Sequence, residues 1–279
     1  MSAGPQSARI ETGSVDVGGI RTFYRRIAGD GPPAVLVHGV PTHSEDWVSV
    51  LDAMRGPAIA MDLPGFGRSD RPPPERFDYS FESHGEFVWD FLETMGIDEY
   101  SLCVHDWGGV GLIAAQRDPG RVRRLAVINA VPFLPSYRWH RTARIWRTRG
   151  LGEISNRLWS RRVIDFSMRE SRGDWSRHPP EFIDMVVDHL DQGTLDGILR
   201  LYRSAPPDEL ERAGARLGSL VCPSLVVWGG RDRYLPSRFG RAYAEALGDA
   251  ELLELPAAGH WPWRDEATLI LRLARFLED

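Results

Sequence analysis

An aspartate stands where the chain turns from a predicted strand into a predicted helix. The segment 104–109, Val-His-Asp-Trp-Gly-Gly, follows an apolar run, and a helical pattern leaves it at 110–117. Small residues at such a turn let the backbone bend tightly and present the side chain between them. A carboxylate presented in this way can attack an sp³ carbon in line and form an alkyl ester. Asp106 is therefore the predicted nucleophile, and the alternative is a helix N-cap, a position that aspartate also favours.

Two further residues could hydrolyse such an ester. His260 follows the last predicted strand and can activate water as a general base. Asp232 follows the preceding strand and can orient the imidazole. The order nucleophile, acid, histidine is typical of enzymes that carry their nucleophile on a strand-to-helix turn. The alternatives are a structural histidine and a turn aspartate, since Asp249 and Asp265 also lie near the last strands.

The order of predicted elements can bring these residues together. Apolar runs without alternation indicate strands that are buried on both faces, as in a parallel sheet covered by helices. They lie at 34–37, 58–61, 101–104, 125–128, 225–228 and 251–255, after a hairpin of 10–17 and 20–26 that turns at Gly18-Gly19. Helical periodicity follows at 87–95 and 269–277. The sequence predicts an α/β fold with a mostly parallel sheet and helices on both faces.

The alternation of strands and helices breaks between about 133 and 212. This stretch holds many arginines and no predicted strand, and its tryptophans are Trp139, Trp146, Trp159 and Trp175. We predict a helical cap inserted after the sixth strand, closing over the carboxyl edge of the sheet, where open α/β sheets bind ligands. The chain then divides into a core of 1–132 and 213–279 and a cap of 133–212.

Three motifs make the chain similar to a known family: the His-Asp-Trp-Gly-Gly turn at 105–109, the His-Gly-Val-Pro turn at 38–41, and the Asp-Leu-Pro-Gly-Phe-Gly-Arg-Ser loop at 62–69. Together they resemble the α/β-hydrolase superfamily, and more narrowly its epoxide hydrolase and haloalkane dehalogenase branch. The resemblance covers both flanks of the predicted cap. It implies the α/β-hydrolase fold, catalysis without cofactor or metal, and an oxyanion hole formed by the backbone N–H groups of Val40 and Trp107.

The resemblance is compatible with two kinds of substrate, an epoxide whose ring oxygen becomes an alkoxide and a halide whose halogen departs. An opening epoxide needs acidic donors, because an alkoxide is far more basic than a halide, and epoxide hydrolases use two cap tyrosines. Tyr202, in Leu-Tyr-Arg-Ser, resembles the first, and Tyr137 or His140 would supply the second. A halide needs weak N–H donors, and Trp107 could supply one, as in the dehalogenases. Val40 stands where an asparagine is a common second donor in those enzymes, although a cap tryptophan could replace it.

We expect an epoxide hydrolase that forms an ester on Asp106 and releases a vicinal diol. The alternative is a haloalkane dehalogenase, and a further alternative is a non-catalytic small-molecule binder on the same fold. The residues expected to contact the substrate are His38, Trp107, Trp139 and His140. One departure from the family pattern is Val104, which stands two positions before the nucleophile where glycine is usual. It predicts a divergent member with a tightly packed turn.

Composition limits the partners and the compartment. The net charge is −5 and the pI is about 5.9, so neither nucleic acid nor a membrane is an expected partner. The arginine-dense stretch 138–149 is interpreted as a solvated helix face. Two cysteines, no apolar leader in the first residues and no long apolar run predict a cytoplasmic protein without a disulfide framework. The expected partners are a small apolar organic substrate and water, and the oligomeric state stays open.

Overall fold

Eight strands form one sheet in the computed structural model, which describes residues 9–248 and 250–279. They are β1 Glu11–Val17, β2 Ile20–Ile27, β3 Ala34–Val37, β4 Ala58–Met61, β5 Tyr100–Asp106, β6 Val122–Ala130, β7 Ser224–Gly229 and β8 Ala250–Leu255. The order across the sheet is β1-β2-β4-β3-β5-β6-β7-β8. In this order, all six strands from β4 onward, including β3, pair in parallel, whereas β2 is antiparallel to both of its neighbours. The predicted mostly parallel sheet is confirmed.

Helices cover both faces of this sheet. In the core they are α1 Val48–Ala53, α2 Phe81–Thr94, α3 Gly111–Arg117, α10 Arg238–Leu247, α11 Pro262–Asp265 and α12 Thr268–Glu278. The start of α3 differs slightly from the predicted 110, because residues 107–110 form a turn of 3₁₀ helix first. No helix in the described part of the chain is long and apolar enough to cross a bilayer.

The segment between β6 and β7 is helical in the structure. It contains α4 Arg141–Arg147, α5 Leu151–Arg157, α6 Arg161–Met168, α7 Pro180–Asp188, α8 Gln192–Ser204 and α9 Pro207–Ala213. The predicted helical insert after the sixth strand is confirmed, while its exact limits as a separate domain, 133 and 212, stay a prediction. Because α8 also packs against α2 of the core, the insert is held over one edge of the sheet.

The central strands are buried on both faces, which explains their unbroken apolar runs. All seven residues of β5 are buried, and its alternate side chains enter two separate apolar clusters. Leu102 and Val104 join the cluster that includes Phe91, whereas Cys103 joins the one that includes Leu273. Since the parallel strands all end at the same edge, the loops that follow them meet there.

The valine that departs from the family pattern is accommodated by a glycine on the next helix. A Cβ atom on Gly111, at the start of α3, would lie 3.2 Å from Val104 Cγ1. Gly111 therefore leaves the space that the larger side chain occupies, and the strand can still turn directly into the helix.

Candidate active site

The nucleophile candidate lies on a strained turn. Asp106 is the last residue of β5 and has φ 50° and ψ −123°, a region that residues other than glycine rarely adopt. A Cβ on Gly39 would lie 2.4 Å from Asp106 Cβ, and one on Gly108 would lie 2.1 Å from the carbonyl oxygen of Val37. Both positions require glycine because the backbones of two turns approach each other at the carboxylate.

The structure brings together the three residues that were predicted as a triad. His260 Nε2 lies 3.4 Å from Asp106 Oδ2, and its Nδ1 lies 2.7 Å from Asp232 Oδ2. All three side chains are buried. Asp106 makes no side-chain cap hydrogen bond to the turn that follows it, and Asp265 accepts a hydrogen bond from the backbone of the loop before the histidine. Asp249 lies outside the described residues.

The two carboxylates determine the charge of the imidazole between them. Burial by itself would lower the pKa of His260, but the charge of Asp232 and the hydrogen bond with Asp106 outweigh it and raise that pKa to about 10. Burial would raise the pKa of Asp106, yet its contacts with His260 leave it below the usual range. In the resting site, an imidazolium therefore lies between two carboxylates.

Asp232 is held by several donors, one of which sequence analysis missed. Its Oδ2 accepts a hydrogen bond from Asn129 Nδ2 at 2.5 Å, and its Oδ1 accepts from the backbone N–H groups of Tyr234 and Leu235 at 2.8 and 3.0 Å. Asn129 Oδ1 in turn accepts from the backbone N–H of Gly229. A polar residue directly after the apolar run 125–128 of β6 was the available signal for this role.

The loop that carries His260 is anchored on both sides. His105 Nε2 lies 2.8 Å from the carbonyl oxygen of His260 and donates to it, since a carbonyl only accepts. Burial lowers the pKa of His105 to about 4, so this imidazole is neutral. On the other side, buried Asp46 accepts hydrogen bonds from Trp261 Nε1 at 2.7 Å and from Arg264 at 2.8 Å. These contacts hold the backbone of the loop that carries the imidazole.

The two oxygens of the Asp106 carboxylate have different surroundings. Oδ1 accepts a hydrogen bond from the backbone N–H of Val40 at 2.8 Å, whereas Oδ2 faces His260. Trp107 begins the short 3₁₀ helix, so its backbone N–H has no partner within that helix. The two predicted oxyanion donors thus lie on the two turns that meet at the carboxylate.

The fold and this site are similar to those of a known family. Residues 32–266 match the family model described as alpha/beta hydrolase fold. A haloalkane dehalogenase of Mycolicibacterium paratuberculosis is 31% identical over 214 residues, which are 74% of this chain and 69% of that protein. The chain belongs to the α/β-hydrolase superfamily. Its relatives lie in the haloalkane dehalogenase and epoxide hydrolase branch, which confirms the resemblance predicted from the motifs.

Other comparisons agree with this assignment. Haloalkane dehalogenase 1 of Mycobacterium tuberculosis is 33% identical over 221 residues, 78% of this chain and 63% of that relative, so the match spans under two thirds of its length. The solved haloalkane dehalogenases DbeA of Bradyrhizobium elkanii and DatA of Agrobacterium tumefaciens C58 both superpose with a TM-score of 0.82. DbeA is 23% identical, with 96% of this chain and 98% of that chain covered, and DatA is 22% identical, with 96% of each covered. These likenesses show the α/β-hydrolase fold.

A cavity of about 70 Å³ opens beside the nucleophile, as expected for a hydrolase of this fold. Asp106 and His260 lie on its wall together with two residues predicted for the cap, Tyr202 and His140. His140 Nδ1 accepts a hydrogen bond from the backbone N–H of Ala143, at 3.4 Å, and burial lowers the pKa of His140 to about 4. The neutral ring therefore carries its proton on Nε2, which is a hydrogen-bond donor.

Tyr202 lies between two tryptophans. Its ring packs edge-to-face against Trp107 at 5.1 Å and against Trp146 of α4 at 4.9 Å between ring centroids. Burial raises the pKa of Tyr202 well above its ordinary value, so its hydroxyl keeps its proton. The indole Nε1 atoms of Trp107 and Trp146 are both buried, and neither makes a hydrogen bond of normal distance and angle within the described residues. The Trp107 indole N–H is nevertheless near enough to the Tyr202 hydroxyl to offset part of the effect of burial on the pKa of Tyr202.

Four residues predicted to contact the substrate, Trp107 among them, do not line this cavity. Trp139 donates its indole N–H to the carbonyl oxygen of Ala205 at 3.0 Å and packs against Tyr137, whose hydroxyl is buried. His38 Nε2 accepts from the backbone N–H of Leu63, and its Nδ1 donates to the neighbouring carbonyl, so both ring nitrogens are engaged. Substrate contact by Trp107, Tyr137, Trp139 and His38 stays a prediction without support from the cavity wall.

Sequence analysis did not assign several residues of the cavity wall to the site. They include Pro41, Thr142, Trp146, Trp159, Ser167, Met168, Glu170, Tyr234 and Trp261. Pro41, Tyr234 and Trp261 were detectable, since each lies within two positions of a predicted site residue, but the other six lie in the cap, whose orientation no local pattern reveals. Over the described ranges, no group of three or more His, Cys, Asp or Glu side chains is arranged to hold a metal ion.

Proposed function

We propose that this chain is a haloalkane dehalogenase, which releases a halide and an alcohol through an ester on Asp106. The observation that carries the proposal is the pair of buried indole N–H groups of Trp107 and Trp146, which make no hydrogen bond of normal geometry in the described residues and whose rings both pack against Tyr202 of the cavity wall. A buried donor without a partner costs about 1–3 kcal/mol, so an acceptor supplied by the substrate is favoured. A departing halide is such an acceptor, and the similarity to haloalkane dehalogenases supports this alternative over the expected epoxide.

The first step is an in-line displacement. Val40 N–H holds Asp106 Oδ1, which leaves Oδ2 to attack the carbon that bears the halogen. A C–O bond forms as the carbon–halogen bond breaks, and the electron pair leaves with the halide. The indole N–H groups of Trp107 and Trp146 donate to the halide, and the carboxylate becomes a neutral alkyl ester.

The second step uses the change in charge that the first step causes. Once Asp106 is an ester, His260 keeps only Asp232 as a carboxylate partner, so its pKa falls and it loses its proton. The neutral Nε2 then removes a proton from water as the water oxygen attacks Cγ of the ester. The oxyanion on Oδ1 is stabilised by the backbone N–H groups of Val40 and Trp107. Collapse breaks the bond between Cγ and the ester oxygen, and the alcohol leaves with the proton from the imidazole.

Epoxide hydrolysis is the second candidate, and the cavity wall provides its supporting observation. Tyr202 retains its hydroxyl proton and His140 carries a proton on Nε2, so the cavity offers two donors for an epoxide oxygen. Since Tyr137 does not line the cavity, His140 is the better supported second donor. Attack by Asp106 would open the ring, and hydrolysis of the ester would give a vicinal diol.

Trapping the ester distinguishes these functions. A His260→Gln variant is incubated separately with 1-bromobutane and with styrene oxide, and its intact mass is measured. We expect a gain of one butyl group at Asp106 together with released bromide. A gain of the whole epoxide only would instead establish an epoxide hydrolase. The matched control is the double variant with Asp106→Asn, which must stay unmodified. No adduct from a wider panel of halides and epoxides would contradict the ester mechanism and favour a small-molecule binder.

A further inference from the structure

The cap exposes an unusual amount of apolar surface. The described residues expose nine large apolar side chains, and seven of these lie within 31 consecutive positions: Ile145, Leu151, Ile154, Leu158, Val163, Phe166 and Trp175. The most exposed of these seven are Phe166 at 70% and Leu158 at 66%. Single exposed apolar residues are ordinary, but such a concentration indicates an interaction surface. We call the surface formed by these seven residues the cap patch.

Packing within the cap determines that this surface faces outward. On α5, Leu151, Ile154 and Leu158 recur at spacings of three and four residues, so they lie on one side of the helix. The buried side of α5 carries Gly152 and Asn156. A Cβ on Gly152 would lie 2.8 Å from the carbonyl oxygen at the end of α4, so α5 packs closely through its glycine side. The apolar stripe is therefore left to the outside.

The cap patch lies within the most basic part of the chain. Residues 138–177 contain eleven arginines and four carboxylates, a net charge of +7, although the whole chain carries −5. Arg144, Arg157 and Arg162 are exposed next to residues of the patch, and no carboxylate lies within 4.0 Å of their guanidinium groups in the described ranges. Guanidinium groups pair with phosphate through two parallel hydrogen bonds.

We propose that the cap patch docks the protein on an anionic lipid surface. Its apolar side chains would enter the boundary between headgroups and acyl chains while the surrounding arginines pair with lipid phosphates, as amphipathic helices do when they lie in a membrane interface. This revises the expectation from the net charge of the whole chain, because the negative charge is concentrated outside residues 138–177.

A second copy of the chain is a poorer occupant. A symmetric dimer through the cap patch would place two segments of charge +7 against each other, which opposes association. The lipid surface supplies both an apolar layer and negative charge. Trp146 of α4, Met168 of α6 and Trp159 between α5 and α6 line the cavity, so the segment that would contact the membrane also forms part of the cavity wall. The docking itself does not depend on the proposed chemistry.

Vesicle cosedimentation tests the proposal with the full chain. We expect the protein to bind vesicles of equimolar phosphatidylglycerol and phosphatidylcholine at low ionic strength, and to bind pure phosphatidylcholine vesicles at least tenfold more weakly. Leu158→Asp should lower binding at least tenfold, because it removes a leucine that would enter the membrane interface and places a negative charge there. The matched control is Leu271→Asp on α12, where the leucine is 55% exposed and far from the patch in sequence, and its binding should be unchanged.

A second variant tests the electrostatic part. Arg157→Gln with Arg162→Gln should weaken binding about fivefold for each arginine, and about 1 M salt should abolish the preference for anionic vesicles. Circular dichroism and thermal unfolding establish that each variant folds. Equal binding to anionic and to neutral vesicles, or binding that Leu158→Asp leaves unchanged, would overturn the proposal. A protein that fails to bind vesicles but forms dimers that Leu158→Asp dissociates would overturn it in favour of self-association.

Discussion

Replacing the nucleophile by its neutral isostere should change the charge of the catalytic imidazole. In the resting site, Asp106 and Asp232 together hold the pKa of His260 at about 10, against the effect of burial. Asparagine at position 106 keeps the shape of the carboxylate but not its charge, so it mimics the alkyl ester. We expect Asp106→Asn to convert His260 from an imidazolium to a neutral base near pH 8.

The size of this change follows from the geometry. His260 Nε2 and Asp106 Oδ2 are 3.4 Å apart. At an effective dielectric constant of about 20, two unit charges at that distance attract by about 5 kcal/mol, which corresponds to roughly 3.6 pKa units. The pKa of His260 should therefore fall from about 10 to between roughly 6 and 7. That value suits a general base that must be neutral in the ester.

Nuclear magnetic resonance of protein labelled with ¹³C at histidine Cε1 measures this directly. The chain has eight histidines, and the signal absent from a His260→Gln sample identifies the catalytic one. The wild-type signal should keep the imidazolium shift throughout the neutral range, whereas the Asp106→Asn signal should titrate near neutrality. Intact mass must show that the asparagine has not deamidated. Equal pKa values in the two proteins, or a neutral His260 in the wild type at about pH 8, would refute the charge switch described for the second step.

Three further changes follow from named contacts. Trp146→Phe removes one proposed halide donor, so kcat/KM for 1-bromobutane should fall about tenfold or more, and an unchanged value would exclude that role. Gly39→Ala should lower turnover at least about a hundredfold in a folded protein, because its Cβ would lie 2.4 Å from Asp106 Cβ, and turnover near the wild-type rate would contradict this steric argument. Asp46→Asn should lower the free energy of unfolding by about 3 kcal/mol at neutral pH, since it leaves Arg264 without its carboxylate partner. Because the folded-state pKa of Asp46 is depressed, this contribution is present above the ordinary pKa of aspartate and is lost as the pH falls through the folded value. Urea unfolding should therefore show a gap between the two proteins that shrinks in acid, and a gap independent of pH would contradict the assignment.

Much of the catalytic centre was predictable because its signals are local. Each of the three triad residues lies at or after the end of a strand that an apolar run identifies: Asp106, Asp232 and His260. Parallel strands end at a common edge of the sheet. The strand pattern alone therefore places the three side chains near one another. The glycines around the nucleophile were visible in the same motifs, but the reason for two of them is tertiary, because Gly39 and Gly108 lie where two separate turns approach each other.

The leaving-group side of the site was decided by tertiary structure. Trp139 and Trp146 lie seven positions apart in the predicted cap, yet the first donates its indole N–H to a backbone carbonyl, whereas the second lines the cavity and its buried indole N–H makes no hydrogen bond in the described residues. Likewise His140 reaches the cavity and Tyr137 does not. Helical periodicity shows which side chains share a face, but not which neighbour that face meets. Contacts between the cap helices and the core decide this, and they depend on the packing of many side chains that are distant in the chain.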